Sequence, residues 1–132
     1  MIIDNVLVYT EDKEFVKGGI VLENDTIKSV YKDSEKIKVD NNEIIDGNGA
    51  FAIPGLIDLH GCKGDDFCDA GKEAIENIAK YECSVGVTSI APATMTLPVD
   101  ELENVLRTAA EYNKTSHGSE CADLIGINME GP

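Results

Sequence analysis

The apolar positions of the first fifty residues fall in short runs separated by polar and glycine-bearing turns, a pattern that predicts β-strands. Four are expected: Ile2 to Tyr9, Gly19 to Glu23, Thr26 to Tyr31 and Glu43 to Ile45. Glu23-Asn24-Asp25 joins the second and third as a hairpin, and Asp46-Gly47-Asn48-Gly49 breaks the chain before Ala52 and Ile53. The charged stretch Lys32 to Asn42 lacks an apolar stripe, so it reads as a solvated loop or weak edge strand rather than a helix.

The pattern changes at Pro54-Gly55. An apolar run, Leu56 to Leu59, is followed by a glycine-bearing loop, a helical stretch near Lys72 to Cys83 and a second run from Val87 to Ala93, the succession expected of a βαβ unit. Ile75, Ile78 and Ala79 form the stripe of that helix, and Asp69 is its candidate N-cap. A second helix is predicted from Val99 to about Asn113, where Val99, Leu102, Val105, Leu106, Ala109 and Ala110 recur at helical spacing; Pro98, Asp100 and Glu101 suit its first turn. A third apolar run, Leu124 to Met129, ends at Glu130-Gly131-Pro132. The expected class is α/β. Three parallel strands alternating with two helices suit either a doubly wound sheet or a barrel, and in both folds the C-terminal strand tips face the active site. Asp58 and His60 stand at the tip of the first strand and Glu130 at the tip of the third.

Composition narrows the function. The 132 residues, 42% hydrophobic and 27% charged, suit a folded chain with a core. A formal net charge of −14 opposes binding to nucleic acid or an anionic membrane surface. Met1 to Tyr9 lacks the basic start and long apolar run of a signal peptide, which implies a cytoplasmic protein. Cys62, Cys68, Cys83 and Cys121 are therefore expected as reduced thiols, and the spacing of Cys62 and Cys68 does not suit a structural zinc pair.

The run Pro54-Gly55-Leu56-Ile57-Asp58-Leu59-His60 resembles the first barrel strand of the amidohydrolase superfamily. One branch of it, the N-acetylglucosamine-6-phosphate deacetylases, is resembled by four further stretches in order: His60-Gly61-Cys62-Lys63-Gly64-Asp65-Asp66, Ser84-Val85-Gly86-Val87-Thr88, Pro92-Ala93-Thr94 and Gly126-Ile127-Asn128-Met129-Glu130-Gly131-Pro132. The resemblance implies that residues 1–54 are the N-terminal part of a small β-sandwich domain. It likewise implies that residues 55–132 are the first three strands and two helices of a (β/α)8, or TIM, barrel. It further implies hydrolysis of the acetamide of N-acetylglucosamine 6-phosphate, giving glucosamine 6-phosphate and acetate in amino-sugar catabolism. A divalent metal, zinc by preference and at one site, would activate water and polarise the carbonyl. Glu130 matches the family's metal-ligating glutamate, and His60 is the second candidate ligand. The family's catalytic aspartate would lie beyond Pro132, so the chain alone is expected to be inactive.

Many relatives read Asp-x-His-x-His-Gly where this chain reads Asp58-Leu59-His60-Gly61, one histidine and two residues short, which favours one metal over two. Asp58 reads as structural. Asp65, Asp66 and Asp69 do not match an EF-hand loop and read as a solvated, helix-capping loop. Gly61 to Gly64 read as a tight βα loop in preference to a phosphate cradle, and His117 falls on a surface loop. Unpaired strand edges would favour a homo-oligomer. The alternatives are another amidohydrolase acting on a cyclic amide or base, and a non-catalytic truncated interaction module.

Overall fold

The computed structural model describes residues 1–35, 43–61, 64–68, 71–115 and 117–130. They form two compact units, Met1–Pro54 and Gly55–Pro132.

The first unit is a five-stranded sheet built around β1 (Ile2–Tyr9). β2 (Phe15–Glu23) pairs antiparallel with β1 and with β3 (Thr26–Lys32), while β4 (Ile44–Asp46) and β5 (Phe51–Ala52) both pair parallel with β1, one after the other along its second edge. The two-residue turn at Asn24-Asp25 works as expected, because Asn24 adopts the left-handed conformation (φ 56°) that asparagine tolerates. β2 begins four residues earlier than the sequence suggests. Phe15 to Lys17 extend the ladder opposite Leu7 to Tyr9, and Phe15 stacks between Tyr9 and Phe51 at centroid distances of 5.2 and 4.8 Å. After β3 the chain makes a short 3-10 turn at Asp33–Glu35; the rest of the charged stretch, residues 36–42, lies outside the described residues.

β1 carries a bulge at Asp4-Asn5, with Asn5 at φ 53°. The Asn5 side chain donates to Asp46 across the ladder, and the Tyr31 hydroxyl donates to Asp4 at 2.6 Å. That hydroxyl bond, with a backbone bond from Asn5, holds the Asp4 carboxyl below its usual pKa; burial first and then Asp4 push Tyr31 up to about 12. Gly19 makes the contact possible. A Cβ there would lie 2.3 Å from the Tyr31 hydroxyl, closer than atoms can approach.

In the second unit, β6 (Leu56–Asp58), β7 (Val87–Ile90) and β8 (Asp123–Leu124) form a parallel sheet in the order β6-β7-β8. The ladder reaches beyond β8 through a parallel bridge between Ala93 and Asn128. α1 (Gly71–Ser84) and α2 (Val99–Tyr112) fall within a residue or so of the expected helices. Ile75, Ile78 and Ala79 of α1 join Val105, Ala109 and Tyr112 of α2, with Val87, Ile90 and Leu124 of the sheet, in one buried cluster. The stripe of α2 is narrower than its spacing suggests: Val99 is 75% exposed, Ala110 is exposed, and Leu102 and Leu106 are half-buried. A first-turn residue lies beyond the part of the helix that the sheet and α1 cover. Pro98 sits at the N-cap without a side-chain bond, and the proposed cap of α1, Asp69, is outside the described residues.

The Tyr112 hydroxyl is buried beside the Cys121 thiol, and burial lifts its pKa to about 12, with Cys121 and Glu76 adding to the effect. Its ring is covered by His117, which stacks on it at 3.6 Å and 12° and directs Nε2 to the Tyr112 carbonyl at 2.9 Å. His117 thus lies on the loop after α2, as expected, with its ring half-buried over the last turn of the helix. Cys68, Cys83 and Cys121 are free thiols; Cys62 is outside the described residues. Among the described residues no helix is long and apolar enough to cross a membrane.

Candidate functional site

Three segments meet at the C-terminal ends of the parallel strands. The tip of β6 brings Asp58, Leu59 and His60; the segment after β7 brings Ala93 to Thr96; the segment after β8 brings Asn128 and Glu130. His60 and Glu130 line one open cleft of about 520 Å³ together with Ala93, Thr94, Met95 and Thr96. Residues 70 positions apart in the chain are brought to one side of the sheet by the parallel pairing.

Each tip is fixed locally. Asp58 Oδ1 accepts the backbone N–H groups of His60 at 2.9 Å and Gly61 at 2.6 Å, closing the turn that ends β6. Those two bonds hold its carboxyl below the usual aspartate range. Both bonds go to Oδ1, tying the carboxylate to the backbone of the turn. A Cβ on Gly61 would lie 2.2 Å from Asp58 Oδ2, so a larger residue there would displace that carboxylate. On the other side, Asn128 N–H donates to the Pro92 carbonyl and Thr94 N–H to the Asn128 carbonyl, both at 3.0 Å. The backbone N–H of Glu130 donates to the buried Thr94 hydroxyl at 3.1 Å. The Glu130 side chain is left exposed at the cleft.

A feature that the residue pattern alone did not single out is the Asn128 side chain. Its amide nitrogen lies 2.8 Å from the Leu59 carbonyl and 3.2 Å from His60 Nδ1, joining the third tip to the first. The available signal was its position two residues before Glu130, which on an extended segment points two side chains the same way.

The neighbouring acidic loop spends its carboxylates internally. Asp65 accepts from Asn77 and from Asp66 N–H, and Asp66 accepts from Cys68 N–H. Among the described residues no three histidine, cysteine, aspartate or glutamate side chains cluster as a metal site. His60 and Glu130 therefore stand as an incomplete set: one imidazole and one carboxylate where a catalytic zinc usually takes three protein ligands.

No protein-family model matches the chain. A curated N-acetylglucosamine-6-phosphate deacetylase from Vibrio furnissii is 35% identical over 83 residues, covering 61% of this chain and 20% of that protein. The one from Bacillus subtilis is 28% identical over 135 residues, covering the whole chain and 34% of its own length. The crystal structure of the Pasteurella multocida deacetylase superposes with a TM-score of 0.82 at 25% identity, over 98% of this chain and 34% of that one. These three relatives are N-acetylglucosamine-6-phosphate deacetylases.

The family resemblance read from the motifs is thus carried by both sequence and fold, and the chain is mixed α/β like the corresponding part of those deacetylases. It spans about a third or less of the length of these relatives. Dihydroorotases match as well; that of Bacillus pumilus is 33% identical over 100 residues, 76% of this chain and 22% of its own.

Proposed function

We propose that this chain is the opening portion of a metal-dependent deacetylase that hydrolyses the acetamide of N-acetylglucosamine 6-phosphate to glucosamine 6-phosphate and acetate. In this reading residues 1–54 are part of a small β-sandwich domain and residues 55–132 open a (β/α)8 barrel. The strand order β6-β7-β8 supports it, since strands added in one direction with a helix of the same cluster between successive strands are how a barrel begins. The observation that carries the functional reading is the cleft shared by Glu130 and His60 at the strand tips, in a fold that superposes on a deacetylase.

Glu130 is the ligand this chain offers to a divalent metal, zinc by preference. The ion, when bound, would lower the pKa of a coordinated water and polarise the substrate carbonyl. The chain's own part is to hold that carboxylate: the bridge between Asn128 and Ala93 and the bond from Glu130 N–H to Thr94 fix the backbone from which it projects. His60 faces the same space from the opposite tip, as a second ligand or a substrate contact. The remaining ligands and the general acid and base are expected from sequence corresponding to later barrel strands, and the protein acts in the cytoplasm as a homo-oligomer.

The purified 132-residue chain should bind zinc weakly and release no glucosamine 6-phosphate. Calorimetry with zinc on the chain and on Glu130→Gln tests the site: loss of the heat in the variant is expected, and unchanged binding overturns Glu130 as a ligand. Turnover by the chain would overturn the claim that its site is incomplete. The dihydroorotase likeness supports a second reading, action on a cyclic amide; the superposition on a deacetylase over nearly the whole chain favours the first.

A further inference from the structure

Cys83 and Cys121 are half-buried free thiols packed against the core of the second unit, one in the last turn of α1 and the other just before β8. The fold brings their backbones to one place. The Ala79 carbonyl accepts the N–H of Ala122 at 3.0 Å, and as a helix carbonyl it also faces the N–H of Cys83, four residues on. Cys83 therefore stands on one side of that oxygen, and Cys121, the chain neighbour of Ala122, on the other. A second contact agrees. The Cys83 thiol donates to the Ser119 carbonyl at 3.9 Å, and Ser119 stands inside the turn closed by the bond from Cys121 N–H to the Gly118 carbonyl. Cys83 Sγ thus rests on the turn that carries Cys121, while the Cys121 thiol faces the Tyr112 hydroxyl.

We infer that Cys83 and Cys121 form a reversible disulfide, a redox-operated staple between the end of α1 and the turn before β8. The co-reactant is a small disulfide such as oxidised glutathione. The Cys83 thiolate attacks one of its sulfurs, forming a mixed disulfide and releasing one small thiol. The Cys121 thiolate then attacks Cys83 Sγ, forming the protein S–S bond and releasing the second. The two protein thiols give up two protons and two electrons, which leave with the two small thiols. Burial first, and then the Glu120 carboxylate, push the Cys121 thiol up, which makes Cys83 the thiol that reacts first. Closing the bond draws Cys121 away from Tyr112 and restrains the unfolded chain, so the oxidised second unit is the more stable. The staple lies at the N-terminal ends of β7 and β8, whereas the cleft lies at the C-terminal ends, so it does not rest on the deacetylase reading.

The test is to equilibrate the 132-residue chain in mixtures of reduced and oxidised glutathione, quench with acid, alkylate the remaining thiols and map tryptic peptides by mass spectrometry. Cleavage after lysine and arginine puts each cysteine in its own peptide: Cys62 in 39–63, Cys68 in 64–72, Cys83 in 81–107 and Cys121 in 115–132. A linked pair of 81–107 and 115–132 is expected, lighter by two hydrogens than their sum, in excess over every other pairing and abolished by dithiothreitol. The same chain oxidised in urea should give a mixture of pairings. Cys121→Ser should stop at the mixed disulfide on Cys83, and the rise in thermal midpoint on oxidation should vanish in Cys83→Ser and Cys121→Ser. The native map needs no variant. Absence of the linked pair, glutathione retained separately on both thiols, or a native mixture equal to that in urea would overturn the inference.

Discussion

Among the described residues of the unit Met1–Pro54 the buried apolar side chains are Ile2, Val6 and Val8, all from β1, whereas in Gly55–Pro132 one cluster gathers side chains from α1, β7, α2 and β8. The first unit leaves Phe15, Ile27, Val30, Ile44, Ile45 and Phe51 exposed. A sheet buries its apolar positions only against another layer. The second unit has that layer in its two helices; among its described residues the first shows a single sheet, where Val6 packs against the Gly47 turn and Tyr31 donates to Asp4.

The largest expected break in this contrast is Ile78→Ala. Ile78 is fully buried at the centre of the cluster, so its truncation should remove about 2–5 kcal/mol from the second unit. Amide hydrogen exchange should show α1 and β7 losing protection while β1 to β3 keep theirs. Equal loss in both units would contradict their separate cores.

Tyr31→Phe addresses the first unit and should cost about 1 kcal/mol, the net contribution of one hydrogen bond. Its pH dependence has a definite sign. Tyr31 has a folded pKa of about 12 against an ordinary 10.0, so its contribution is full below 10 and is lost as pH rises through 12. Asp4 is shifted down, so its contribution is present above the ordinary aspartate value and is lost as pH falls through the folded one. Protection of β1 to β3, followed against pH, should fall at both ends in the native chain. In the variant the Tyr31 contribution to the alkaline fall should disappear.

The smallest effect is expected at His117→Ala, which removes the stack on Tyr112 and the bond to its carbonyl and should cost about 0.5–1.5 kcal/mol. Exchange at the last turn of α2 should rise, with the centre of α1 unchanged.

The elements were legible wherever a single local signal decided them. The stripe Ile75, Ile78, Ala79 marked α1, the Asn24-Asp25 turn marked the β2–β3 hairpin, and Pro54-Gly55 marked the change of style between the two compact units. The early start of β2 was not legible, because Phe15 to Lys17 directly follow the charged run Glu11 to Glu14 and are strand only by pairing with Leu7 to Tyr9. His117 lies on the loop that its polar neighbours describe, but nothing local showed that its ring folds back onto an aromatic five residues earlier.

By itself the sequence determined the alternation of strands and helices and the acidic charge, since each is fixed by residue type and local spacing. Only the tertiary structure decided that Glu130, in the segment that follows β8 rather than at its tip, shares a cleft with His60, that Asp58 Oδ1 closes the turn at His60, and that Asn128 reaches Leu59. The reason is physical: parallel pairing brings together segments far apart in the chain, which local spacing cannot show.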